Sequence, residues 1–555
     1  RGVAPDASII GNNILQYFTY ENEASAWGYE DIYTSQMDIF NMSYGLRLYY
    51  DGNTTFNFPK FNSVGEITLL ALKNGVTNLR NGKGAIYIKS LGNDFRTNRT
   101  NGFACGEAGV DDDGALGCTI RFTDDIHTTP YILGVGALKA TGIKTSYSTT
   151  DPSIWISGFA GEFGYTEEYL GEGYIEHAYE PAVITTDQTG CYAGYVGGRY
   201  PRNKFNDWGG YLHPVHPDNN NCNYTSTFNG TSAAAPTVAG GVAVLLGAYP
   251  DLTWRDVKHI MASTARKIDP DRQYYRNLLL QYDWITNAAG YSHHYWYGFG
   301  AYDLGAAMDF AATYTPDSLG AFNEYGWKES ESKETFFVTV ESNSNGGGNV
   351  YVIDNVQKKS LSLNVGTTYT FSYPSEHPLR FSTTSDGTHA GGSEYEDGVT
   401  KSTGVTTIKV NEETPSTLYY YCDIHSGMGS DITRIDEEQN LNLLVRSYKS
   451  SSDRITYTSD TINDFVEYVQ IKIYLDKDIP RDIGFHLISP DGTEMSILHP
   501  FTNVSGNPEG DWFIMGVTGF YGEKINGDWT LKVTDYTDNE DNGILIDWGI
   551  NVFGN

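Results

Sequence analysis

Two groups of residues have types and spacings suited to chemistry. The first is Asn229-Gly-Thr-Ser-Ala-Ala-Ala-Pro236, a polar turn feeding an apolar run, with Ser232 where the turn becomes a helix. The unpaired amides and positive dipole end of a helix N-terminus favour the negative charge of a tetrahedral intermediate, so a serine there is well placed as a nucleophile. The small alanines let such a helix lie close to a sheet. Pro236 is expected near the first turn, where a missing amide hydrogen costs least. The second group is Cys422-x-x-His425-x-x-Met428, inside Tyr419-Tyr-Tyr-Cys-Asp-Ile-His-Ser-Gly-Met428. Thiolate, imidazole and thioether form a soft ligand set that suits copper and not calcium or magnesium. Such a site needs a second imidazole, and His377 in Ser375-Glu-His-Pro-Leu379 lies upstream; His389 reads as a loop residue.

The elements that must hold these groups differ along the chain. Up to about Tyr314, short β-branched or aromatic runs such as Gly84 to Ser90 and Tyr131 to Ala137 alternate with helical periodicity at Val64 to Asn74, Ala233 to Ala248 and Leu252 to Ala265. The last helix carries a capping box, Thr253-x-x-Asp256. This alternation predicts an α/β domain with a mostly parallel sheet flanked by helices. The run Ala233 to Tyr249 has the length of a short membrane span, but its Pro236, Thr237 and glycines read as a buried helix. After Tyr314 helical periodicity stops and Pro316, Gly320 and Gly326 mark a linker. Leu361, Leu363 and Val365, then Tyr369, Phe371 and Tyr373, alternate with polar residues as half-buried antiparallel strands do. A second β block starts near residues 431–440 and includes Tyr468 to Tyr474. The expected domains are 1–315, a linker 316–334, then two β-sandwiches at 335–430 and 440–555.

The chain's 37 basic against 69 acidic side chains leave a charge of −32, which excludes nucleic acid and anionic membranes as partners and favours basic or calcium-bearing ones. Of its five cysteines, Cys105 with Cys118 and Cys191 with Cys222 would close surface loops as disulfides, implying an oxidising, extracytoplasmic compartment. Cys422 is left over as a ligand candidate.

Gly230-Thr-Ser-x-Ala-x-Pro236 resembles the nucleophile motif of the subtilisin–kexin serine proteases. Gly84-Ala-Ile-Tyr-Ile-x-x-x-Gly-Asn93 is similar to that family's strand ending in the oxyanion-hole asparagine, and Asp38-Ile-Phe-Asn-Met-Ser-Tyr-Gly45 resembles its substrate-binding strand. Leu252-Thr-Trp-Arg-Asp-Val257 and Tyr297-Gly-Phe-Gly300 resemble the kexin-type convertases in particular. The resemblance implies a secreted serine endopeptidase acting on protein or peptide substrates. Ser232 would be the nucleophile, Asn93 the oxyanion donor, and Ser43, Tyr44 and Gly45 the pairing partners of the substrate backbone. Such a serine needs a histidine base and an orienting carboxylate. In this family both precede the segment that matches Gly2 to Ala7, and none of the twelve histidines is followed by Gly-Thr. The expectation is that an upstream segment of a longer protein supplies the Asp and His, and that this chain alone is nearly inactive.

Residues 335–430 resemble a cupredoxin, with type 1 copper ligands His377, Cys422, His425 and Met428. Leu487-Ile-Ser-Pro-Asp-Gly-Thr493 and Gly522-Glu-x-x-x-Gly-Asp-Trp-Thr-Leu-x-Val-x-Asp535 resemble the jelly-roll P domain that follows convertase catalytic domains. The family also implies calcium; Asp94 and Asp111 to Asp113 could line a pocket taking basic residues or equally hold calcium, but read first as a solvated acidic loop. The rival reading is a secreted copper-binding or adhesion protein on a degenerate, inactive subtilase scaffold.

Overall fold

The computed structural model describes residues 2–45, 66–93, 95, 125–171, 176–196, 201–270, 283–330, 332–436, 443–445, 450–458, 464–475, 483–499, 512–536 and 543–555. Cys105, Cys118, Asp94 and Asp111 to Asp113 lie outside them. The backbone divides into two compact units. One contains residues 1–328, 444–543 and 548–555, the other residues 329–443 and 544–547.

In the first unit, four parallel strands run in the order β1 (Ile39–Met42), β2 (Ile86–Ser90), β3 (Ile132–Leu138) and β4 (Ile154–Phe159). β2 and β3 are buried at every position, as expected of parallel strands covered on both faces. Short helices α1 (Tyr20–Ala26) and α2 (Glu66–Asn78) pack on each other, and α3 (Glu167–Leu170) follows the sheet. α4 (Thr231–Ala248) packs on all four strands, so the long apolar run is the central helix of this domain. α5 (Trp254–Thr264) begins with both reciprocal bonds of the expected capping box and packs on β4 and on α6 (Leu304–Ala311).

The same unit includes two antiparallel sheets from the C-terminal part. One is ordered 443–445, 543–554, 466–475, 512–517, with strand Asn323–Glu329 added to 543–554; the other is ordered 450–457, 527–535, 483–488, 494–498. They dock on the parallel domain through defined bonds. Thr518 Oγ1 donates to the Ile154 carbonyl at 2.8 Å, Tyr468 Oη to the His127 carbonyl at 2.7 Å, and Asn287 Nδ2 to the Gly519 and Tyr521 carbonyls at 3.0 and 2.9 Å.

The second unit is a pair of sheets, six-stranded and four-stranded, enclosing an apolar core that includes Phe371, Phe381, Ile408, Leu418 and Tyr420. Strand Ser430–Ile435 pairs with Thr417–Cys422 and Leu361–Asn364. The middle β unit therefore runs past residue 430. The expected linker 316–334 likewise contains strand Asn323–Glu329 and the start of Ser332–Ser342. Polar, glycine-bearing segments looked like connectors because their strand pairing comes from distant sequence.

Candidate active site

The site lies at the C-terminal ends of the parallel strands, where open α/β sheets commonly bind ligands. β1 delivers Ser43, Tyr44 and Gly45, β2 delivers Gly92 and Asn93, and the N-terminus of α4 delivers Ser232. Gly230 caps α4 with φ +92°, a left-handed conformation that glycine adopts without penalty. A Cβ there would also sit 3.3 Å from Asn93 Nδ2, a tight contact that would press the asparagine away from the turn by a few tenths of an ångström.

Asn93 is held by its oxygen. The Thr231 N–H donates to Oδ1 at 2.8 Å and Thr231 Oγ1 donates to it at 3.1 Å, while the Gly92 N–H donates to Thr231 Oγ1 at 2.9 Å. Because Oδ1 must face these donors, the amide orientation is fixed and Nδ2 has no hydrogen-bond partner among the described residues. The Ser232 N–H, in the first turn of α4, is likewise without one.

Ser232 is half-buried. Its Oγ donates to the Ser43 carbonyl at 3.4 Å, a long bond, and no imidazole or carboxylate bonds to it among the described residues. Ser43 Oγ donates to the Ser232 carbonyl at 3.0 Å. Here the structure corrects one expectation. Pro236 lies inside α4, beyond its first turn, and removes the amide that would have bonded the Ser232 carbonyl four residues earlier. The Ser43 hydroxyl takes that amide's place, tying the substrate-strand candidate to the nucleophile candidate. Tyr44 is anchored inward. Its carbonyl accepts Lys89 Nζ at 2.6 Å and its hydroxyl donates to Glu23 at 3.0 Å, while Gly45 is exposed.

Tyr147 was not apparent as a site residue in the sequence. Its buried hydroxyl accepts from the Gly230 N–H at 2.8 Å. Burial holds its pKa well above the usual phenol range, so the hydroxyl stays protonated. Lys89 and the partner of Arg255 were likewise not apparent in the sequence, because their roles depend on contacts across the fold.

Glu162, His177 and Glu180 bring ligand atoms within 4.8 Å of one another. Lys139 Nζ donates to Glu180 at 2.9 Å and the Ser146 N–H and hydroxyl bond Glu162 at 2.6 and 2.9 Å, so each carboxylate already has a partner within the protein. Cys191 and Cys222 are joined as a disulfide, with Cα atoms 4.8 Å apart.

In the second unit, the structure gathers the soft-ligand candidates. His377 Nδ1 is 3.1 Å from His425 Nδ1, and Cys422 Sγ is 3.6 Å from the same atom. Cys422 is a free, fully buried thiol and Met428 is buried in the core of this unit. His389 Nε2 lies 2.9 Å from the Cys422 carbonyl, outside the ligand group. Tyr351 Oη donates to the His377 carbonyl at 2.7 Å, fixing the turn that carries that imidazole.

Residues 1–300 match the Subtilase family. The chain belongs to the subtilase family. Residues 466–552 match the proprotein convertase P-domain, which identifies the two C-terminal sheets docked on the subtilase domain. The chain is 29% identical over 334 residues to the Aeromonas extracellular serine protease of Aeromonas sobria, covering 57% of this chain and 48% of that protein. It is 40% identical over 283 residues to human proprotein convertase subtilisin/kexin type 7, covering 50% and 25% respectively. The chain thus spans about half, or less, of the length of these relatives. The crystal structure of the serine protease of Aeromonas sobria superposes with a TM-score of 0.66 at 22% identity, over 100% of this chain and 78% of that one, a likeness of fold.

Proposed function

We propose that this subtilase carries the nucleophile, oxyanion and substrate-strand parts of a secreted serine endopeptidase of the subtilisin–kexin type. Ser232 Oγ attacks the scissile carbonyl, and the developing oxyanion receives the Asn93 amide and the Ser232 N–H. The attack needs a histidine base with an orienting carboxylate, and the weak Ser43 contact leaves Ser232 Oγ available to such a base. The observation that carries the reading is the Thr231–Asn93 clamp, which spends the amide's oxygen on the helix and leaves its nitrogen as a donor beside the serine. The Cys191–Cys222 disulfide supports an extracytoplasmic setting.

The test is peptide hydrolysis by the full-length protein. Ser232→Ala should lower kcat by about 10⁴-fold or more; an unchanged rate would refute the nucleophile.

A second reading rests on the His377–Cys422–His425 cluster, which supports copper binding in a cupredoxin-like second unit, with Met428 as the weak fourth ligand. Copper there would supply either one-electron chemistry or a structural cross-link, and the chain's part is to hold two imidazoles around a buried thiol. Calcium, implied by the family, remains a proposal, with Asp94 and Asp111 to Asp113 as candidate ligands.

A further inference from the structure

The oxyanion loop and the nucleophile turn come from distant parts of the chain, and both hang on one short segment, residues 145–149, which turns at Ser146 and Tyr147. The Thr149 N–H donates to the Gly92 carbonyl at 3.0 Å, and the Tyr147 carbonyl accepts the Phe95 N–H at 3.2 Å, gripping the oxyanion loop on both sides of Asn93. The Tyr147 side chain reaches the other way, accepting from the Gly230 N–H at 2.8 Å and donating to the Gly161 carbonyl at 2.5 Å. The segment is itself fixed to the sheet. The Thr145 N–H bonds the Ala137 carbonyl of β3 at 3.0 Å, and Ser148 Oγ accepts the Ala137 N–H at 3.0 Å. On its other flank Glu162 takes both hydrogen bonds of Ser146, and the Glu162 carbonyl accepts Asn229 Nδ2 at 2.8 Å.

We propose that Tyr147 is a positioning residue for the reaction: its carbonyl and its hydroxyl together set the separation between the Asn93 donor and Ser232. The inference rests on the serine-protease reading above. Gly230 immediately precedes Thr231 and Ser232, and its peptide plane orients the first turn of α4, so releasing its N–H lets the nucleophile turn rotate against an oxyanion loop that stays in place. Reacting groups must be held closely, and a displacement of about 1 Å can cost about a hundredfold in rate. Phenylalanine at 147 keeps the ring against Phe163, 5.9 Å between centroids, and removes only the oxygen that joins the two loops.

The experiment compares Tyr147→Phe, Glu162→Gln and Ser232→Ala in the full-length protease. The expected result for Tyr147→Phe is a fall of about ten- to a hundredfold in kcat with KM within about twofold. Affinity for a peptide aldehyde, which forms a tetrahedral adduct, should fall in proportion to kcat/KM while that for a non-cleavable peptide holds. Glu162→Gln, which keeps the acceptor for the Ser146 N–H, should show the same pattern more weakly. Wild-type kcat in Tyr147→Phe beside an inactive Ser232→Ala overturns the positioning role alone. Parallel loss of aldehyde and peptide affinity also overturns it, because that marks general loosening. Full activity in Ser232→Ala overturns both this inference and the reading beneath it.

Discussion

The prediction most directly worked from the packing concerns Arg255, in the Leu252-Thr-Trp-Arg-Asp-Val257 motif. Its guanidinium is nearly buried, at 7% exposure, and meets Glu467 of the P-domain region, itself 14% exposed. Nη2 reaches Oε1 at 2.5 Å and Nε lies 3.1 and 3.0 Å from the two carboxylate oxygens, while Nη1 and Nη2 donate to the Gly320 and Leu319 carbonyls at 2.5 and 3.2 Å. One side chain thus joins α5, the connecting segment and the C-terminal sheets. Glu467→Gln preserves shape but leaves a buried cation without its counter-charge. Removing one partner of a buried pair costs about 3–5 kcal/mol. Here Gln still offers one acceptor and two carbonyls remain, so we expect somewhat less, about 2–3 kcal/mol. An unfolding entropy of about 2 cal/mol/K per residue makes this about 1 °C per kcal/mol for a unit of more than 400 residues, so melting should fall by about 2–3 °C. Calorimetry of the whole chain measures this, with the exposed pair Arg454–Asp528, 61% and 44% exposed, as a control whose loss is expected to be under about 1 kcal/mol. A Glu467→Gln melt within about 1 °C of the parent would refute the reasoning, because the arginine would then be solvated or re-paired on opening.

Three further outcomes follow. Asn93→Ala in the full-length protease should lower kcat by about 10²–10³ with little change in KM; a loss confined to KM would assign the side chain to ground-state binding. His293 and His499 are buried in the first unit, and burial pushes their pKa values down to about 4 and about 3, for His499 with neighbouring His486 and His294 adding to the shift. Because the unfolded chain binds these protons near pH 6.5 and the folded chain does not, stability is full above that pH and falls as pH drops toward 4, by up to about 1.4 kcal/mol per pH unit per group. A melting temperature flat from pH 7 to 5 would contradict this. Cu(II) added to the purified protein should give a thiolate-to-copper absorption band that is lost in Cys422→Ser, and absence of the band in the parent would remove the copper reading.

The sequence was most legible where a motif is local. The turn from Asn229 to Ser232, the strand that leads to Asn93 and the Thr253–Asp256 capping box each depend on residues a few positions apart, and each element appears in place. What was not legible is what joins distant segments. Tyr147 looks like any aromatic residue until its hydroxyl meets Gly230, 83 positions away. Arg255 belonged to a recognisable motif, yet nothing local shows that its partner is Glu467, 212 positions on. Pro236 was misplaced by a turn because its cost is offset from outside the helix, by Ser43. The middle unit's limits were blurred for the same reason, since Ser430–Ile435 looks like a connector until its strand partners at 361–364 and 417–422 are seen.

The central claim is that Ser232 is the nucleophile of a complete active site to which this chain contributes the helix terminus and the oxyanion donor. The most direct measurement treats the full-length protein with a sulfonyl fluoride and locates the adduct by peptide mass spectrometry. The account predicts a single adduct on the peptide containing Ser232, formed in step with loss of hydrolysis and absent from Ser232→Ala. Hydrolysis that survives full modification of Ser232, or an activity-linked adduct on another residue, would contradict it.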